Sequence, residues 1–248
     1  MKSALRIGAI TTGAALLLAP AGAAYASAAS AASSTPTGTS SSAPSTGGSA
    51  RLTAVKAIAN ARIQGRLATL HALSLAVSDS KYLTSDERSA LNKQINADLS
   101  GLTTLSSKMS AESTAAAVRA DETVMVDDYR VYVLMAPQTR LTDALAAESD
   151  AAATLQKAYT ALSDLANKQS GGATPTQQSE LADLQTQVTA AQAAIANEVD
   201  TELAIQPGPD ETAIRNALQP VKSAVKSAHQ DLVKARSDAK ELRASLKS

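Results

Sequence analysis

From Ile214 to Leu246 the chain sets apolar residues at alternating steps of four and three: Ile214, Leu218, Val221, Val225, Ala228, Leu232, Ala235, Ala239, Leu242 and Leu246. A register of seven held this long returns to one face of a helix and suits no strand. The seam needs apolar neighbours, and its three alanines let another helix approach at the short end of the ~8–10 Å interaxial range. Pro220 lies inside the register and is expected to kink the helix or split off a short leading piece. Cys, Trp and Phe are absent, so core volume must come from Leu, Val, Ile, Met and Ala, which suits close-packed helices. The expected fold is all-α: an elongated antiparallel helical bundle or coiled coil of five or six long helices, joined by short turns.

The other helices follow from the same periodicity. Leu52, Val55, Ala59, Ile63, Leu67, Leu70 and Val77 predict a helix from Arg51 to about Asp79. Thr84-Ser85-Asp86-Glu87 reads as a capping box opening a second helix through Met109, with Gly101 inside it permitting a close crossing. Ser113 is expected to cap a third helix reaching Met135, where Pro137 should force a kink or tight turn. Leu141, Leu145, Glu148, Ala152, Leu155, Tyr159, Leu162 and Ala166 mark a fourth, stopped by Gly171-Gly172. Thr174-Pro175-Thr176-Gln177 starts a fifth, expected to run through Leu203 until Pro207-Gly208-Pro209 ends it.

The stretch from Val124 to Met135 is apolar or aromatic at most positions, so a helix there belongs in the centre of the fold. It carries Tyr129 and Tyr132, and Arg130 sits three residues from Asp127, within pairing reach on a helix. The run Asp128-Tyr129-Arg130-Val131-Tyr132-Val133-Leu134-Met135-Ala136-Pro137-Gln138-Thr139-Arg140-Leu141, with the upstream block from Tyr82 to Leu102, resembles a group of secreted, predicted coiled-coil proteins of high-GC Gram-positive bacteria. The resemblance implies an exported helical protein and carries over no catalytic residue.

The first 26 residues have the form of a secretory signal. Lys2 and Arg6 precede an apolar run from Ile7 to Ala19, Pro20 ends it, and Ala24-Tyr25-Ala26 offers a small-x-small cleavage site. Cleavage near Ala26 would make the protein secreted, extracellular or cell-wall associated. Residues 27–50 contain only Ser, Ala, Thr, Pro and Gly and are expected to be a disordered linker, with residues 51–248 forming the bundle domain. Basic and acidic residues number 23 each, but unevenly: residues 80–206 hold nine basic and seventeen acidic, whereas 210–248 hold eight and five. The two mildly basic terminal helices are therefore expected to lie against an acidic middle. No basic stripe interleaved with aromatics suggests nucleic acid, and no segment past the signal is apolar enough to span a bilayer.

The sequence offers little that points to catalysis. Two histidines, His71 and His229, lack the spacing of a metal site, and no nucleophile elbow or phosphate-binding glycine loop occurs. No catalytic residue, metal or cofactor is expected. A structural or interaction role follows, the partner being another envelope protein or a second copy meeting the 210–248 helix. The competing expectation is a small-ligand or ion-binding bundle, with Tyr129, Arg130, Tyr132, Glu148 and Tyr159 as candidate lining residues. Glu148, on a seam where a hydrophobe is expected, would need Arg130 or another donor if buried.

Overall fold

The computed structural model describes residues 46–247. The signal-like segment, and the linker up to residue 45, lie outside the described residues. The element order is α1 (Thr46–Asp79), α2 (Ser85–Ala111), α3 (Ala115–Tyr129), a π-helical turn (Val131–Met135), α4 (Ala136–Asn167), α5 (Pro175–Ile195), α6 (Glu198–Leu203) and α7 (Glu211–Ser245). Among the described residues there is no strand, and no helix is long and apolar enough to cross a membrane. The all-α bundle expected from periodicity is the fold.

Helix starts follow the local chemistry closely. Thr84 accepts from the Glu87 amide at 3.2 Å while Glu87 accepts from the Thr84 amide at 2.8 Å. Thr174 and Gln177 repeat the exchange at 3.3 and 2.9 Å, with Pro175 just inside the helix. Each such cap satisfies otherwise orphaned donors and contributes about 1 kcal/mol. Gly171 and Gly172 take φ of +105° and +78°, which a residue with a Cβ rarely adopts, and so stop α4.

Five boundaries differ from expectation. α1 begins at Thr46, so the last residues assigned to the linker are helical; extending an existing helix adds one hydrogen bond per residue without a new nucleus. Thr114 rather than Ser113 caps α3, its side chain accepting from Ala117. The third helix stops at Tyr129, not Met135, because Arg130 takes a left-handed conformation (φ 36°, ψ 39°). The break therefore precedes Pro137 by seven residues. Ala136 stays helical, and the wide π turn ahead of the proline gives its ring room. The fifth helix ends at Ile195, and left-handed Asn197 (φ 63°) separates it from α6; asparagine tolerates that region better than most side chains. Pro220 neither splits nor shortens α7, which runs unbroken for 35 residues.

Two apolar cores share one helix. The first joins α1, α2, α3 and the start of α4 through Ile63, Leu70, Leu91, Ile95, Leu102 and Met125. The second joins the later part of α4 to α5 and α7 through Leu155, Leu162, Leu184, Val188, Leu232 and Leu242. A small group of Leu134, Ile214 and Leu218 links the π turn to the start of α7. α4 and α7 run in the same direction: Leu141 packs on the Ile214–Leu218 group, Glu148 meets His229, and Gln169 reaches the Leu246 carbonyl. α5 returns between them, so neighbours in sequence are antiparallel while α4 and α7 are parallel. The seam of α7 is thus spent inside its own chain. Both terminal helices lie on the acidic middle, as Arg62 to Glu122 and His229 to Glu148 illustrate.

Gly101 gives the first core its closest approach. A Cβ there would collide with the Tyr129 hydroxyl oxygen and lie 2.6 Å from its ring edge. Gly101→Ala is expected to destabilise the protein by about 1–3 kcal/mol through overpacking, despite alanine's better helix propensity. With Tyr129 replaced by leucine the sign should reverse. A double-mutant cycle in urea that finds the two substitutions additive would refute the contact.

Candidate functional site

Arg130 is the most connected of the sequence-nominated side chains. Its left-handed backbone ends α3 and turns the guanidinium toward the segment between α6 and α7. There Nε donates to the Gly208 carbonyl at 2.7 Å and Nη2 to the Pro209 carbonyl at 2.6 Å. Nη2 also donates to Asp127 at 3.0 Å, the pairing expected from their spacing, and Nη1 lies 3.7 Å from Glu211. The side chain is 6% exposed. A planar fork meeting this many acceptors is a clip that ties the end of α3 to the start of α7.

The other four nominees serve different neighbourhoods. Tyr129 is half-buried on the first core against Gly101, and burial, then Asp128 and Asp98, raise its hydroxyl pKa. Tyr132 is 52% exposed, with the Arg66 guanidinium 5.2 Å from its ring centre. Glu148 is only 14% exposed and accepts from or pairs with His229 Nδ1 at 2.8 Å, a donor that spacing in the sequence did not suggest. Tyr159 packs on the second core, beside α5 and α7. The structure does not bring the five together. A cleft of about 530 Å³ does lie between α1 and α4, floored by Ala68, Ala72, Leu73 and Val77 with Arg140 and Asp143 beside them, and it includes none of the five.

A polar pocket that sequence reasoning missed lies under α6. Glu202 is completely buried. Thr142 donates to its Oε2 at 3.2 Å, while Oε1 has no protein partner. Gln138 donates to the Glu202 and Ile205 carbonyls at 2.7 and 3.3 Å, and Gln94 to the Leu203 carbonyl at 3.3 Å. Two side-chain amides, from α2 and α4, thus donate to carbonyls at and just past the end of α6, where few backbone amides remain to reach them. Oε1 of Gln94 and Oε2 of Glu198 are also buried without partners. Burial pushes the Glu202 carboxyl up to about 8; the Thr142 hydrogen bond opposes this and the Glu198 charge adds to it. Asp98, half-buried on α2, is raised by burial to about 7.

The signal for this pocket was faint. Gln138 and Thr142 stand four apart on α4, and Thr139 is buried beside them; three polar residues on one inward face call for polar partners. Their partner stayed hidden because a single helix through Leu203 places Glu202 next to the apolar stripe rather than on it. Among the described residues no three His, Cys, Asp or Glu side chains are grouped to hold a metal ion. Comparison with protein-family models, curated proteins and solved structures finds no match to this chain.

Proposed function

We propose that the chain is exported and acts at the cell envelope as a helical structural or interaction protein. The observation that carries this reading is the use made of Arg130. The side chain best suited to hold an anionic ligand is instead engaged with two carbonyls and two carboxylates that join helices. Glu148 and His229, and Lys108 with the buried Asp121, likewise tie neighbouring helices. Polar groups placed this way support a scaffold that meets its partner through outer surfaces, since the α7 seam is already covered by α4 and α5. Export is supported by the Lys2–Ala26 pattern.

Expression of the full tagged chain in a Gram-positive host is expected to deliver it to the envelope or medium with a new N-terminus after Ala26. Mass spectrometry of the recovered N-terminal peptide gives the answer. Retention in the cytosol with Met1 to Ala26 intact would overturn the export reading.

A further inference from the structure

The seam of α7 fixes a register, and the register sorts its charges. The residues that follow Ile214, Val221, Ala228, Ala235 and Leu242 are Arg215, Lys222, His229, Arg236 and Arg243, basic or imidazole in all five repeats. Those that follow Leu218, Val225, Leu232, Ala239 and Leu246 are Gln219, Lys226, Val233, Lys240 and Lys247. These ten positions form two adjacent rows on one flank and contain no acid. All ten are exposed. The acids of α7 lie elsewhere. Asp231 and Asp238 occupy the opposite flank, where Gln187 of α5 donates to Asp238 at 2.8 Å. Glu241 accepts from Ser237 at 3.2 Å.

The basic flank borders α4, where His229 meets Glu148; Arg236 of the same row is engaged as well. Glu211 at the head of α7 pairs with Arg215. Among the described residues, Lys222, Lys226, Lys240 and Arg243 have no ion-pair partner. Their neighbours at three and four residues are cations as well: Lys222 with Lys226, Arg236 with Lys240, Lys240 with Arg243. Like charges at this spacing weaken a helix, whereas a merely solvated face alternates signs. The row runs over 29 residues from Arg215 to Arg243, about 42 Å end to end at 1.5 Å per residue, with one repeat every ~10.5 Å.

We propose that this flank of α7 docks a linear polyanion, an unbranched polymer with a phosphate-type charge on each short repeat unit. Charge complementarity names the occupant. The strip is long, unbroken and only two rows wide, which matches an extended chain better than a flat lipid surface. A membrane-surface helix needs a free apolar face, and the apolar face of α7 is buried against α4 and α5. Nucleic acid is disfavoured because no aromatic stands in the rows to stack a base, and Tyr159 of the neighbouring α4 packs on the second core. The inference deepens the envelope reading by naming a partner class and rests on that reading for the polymer's location.

The test uses purified chain and fluorescent long-chain inorganic polyphosphate as the probe, with binding followed by anisotropy across a salt series. Saturable binding is expected, with a log–log salt slope of about −3 for four neutralised cations on a single-chain polymer. Neutralising Lys222, Lys226, Lys240 and Arg243 to glutamine should weaken binding at least tenfold and flatten the slope, with helix content by circular dichroism unchanged or higher. Neutralising the same number of exposed cations elsewhere, Lys81, Lys93, Arg119 and Lys157, should leave affinity within twofold. The proposal is overturned if the second variant loses as much as the first, if phosphatidylglycerol vesicles or duplex DNA bind as tightly as the polymer, or if nothing binds at low salt. Binding is read in vitro, so its failure with export intact removes the polymer alone. Failed export with binding intact removes only the location.

Discussion

Arg130→Ala is expected to lower the unfolding free energy by about 3–5 kcal/mol, the range for removing one partner from a buried, hydrogen-bonded charge cluster. The loss has identifiable sources. The carbonyls of Gly208 and Pro209 lose the donors that hold the segment before α7 to the end of α3. Asp127 loses its close cation and Glu211 a more distant one. Two further substitutions separate side chain from backbone. Arg130→Gly should be less damaging than alanine by about 1 kcal/mol, because φ of 36° strains any residue with a Cβ. Arg130→Lys should fall between alanine and the parent, since a single ammonium cannot reach acceptors spread around a planar fork. Urea denaturation at fixed m-value measures all three. An alanine variant within about 1 kcal/mol of the parent would mean that the clip contributes little.

Stability should fall as pH rises from 5 to 8, and Glu202 should account for most of the fall. A carboxyl whose folded pKa lies near 8, against an ordinary value near 4.5, binds its proton more tightly folded than unfolded. Its contribution is full below the unfolded value and is lost as pH climbs through the folded one. Inside that window the slope approaches, at most, about 1.4 kcal/mol per pH unit for one such group. Asp98, raised to about 7, acts with the same sign. Glu202→Gln keeps the shape and an N–H donor without the charge. It should flatten at least half of the slope and stabilise the protein at pH 8 by about 1–3 kcal/mol. The groups against Glu202 on the other elements, Gln138, Thr142 and Gln94, are neutral, and Glu198 is the charged neighbour on α6 itself. Parallel thermal melts of parent and variant from pH 5 to 8 decide the matter, and identical slopes would exclude Glu202 as the source.

Features carried by a few adjacent residues could be read from the chain in advance. The boxes at Thr84 and Thr174 needed only four residues each, and the α7 seam needed only its own register. Features that depend on what lies across the bundle could not. Pro137 looked like the breaker, yet Arg130 broke the helix because Gly208 and Pro209, nearly eighty residues away in sequence, reward its turned-out side chain. Asn197 gave a weak local hint of a left-handed residue, and missing it kept Glu202 out of view. The candidate site was nominated as tyrosines and charges dense in sequence. Density in sequence did not become proximity in space, since Tyr129 and Tyr159 belong to different cores. The basic rows on α7 were legible all along, because they follow from the seam register by adding one to each position.

Since α4 contributes to both cores, the molecule resembles two arches resting on one beam. Tension that peels α7 off the far half or α1 off the near half strips the support from a single rod. Damage at either end therefore travels along its axis instead of stopping at a joint between the two cores.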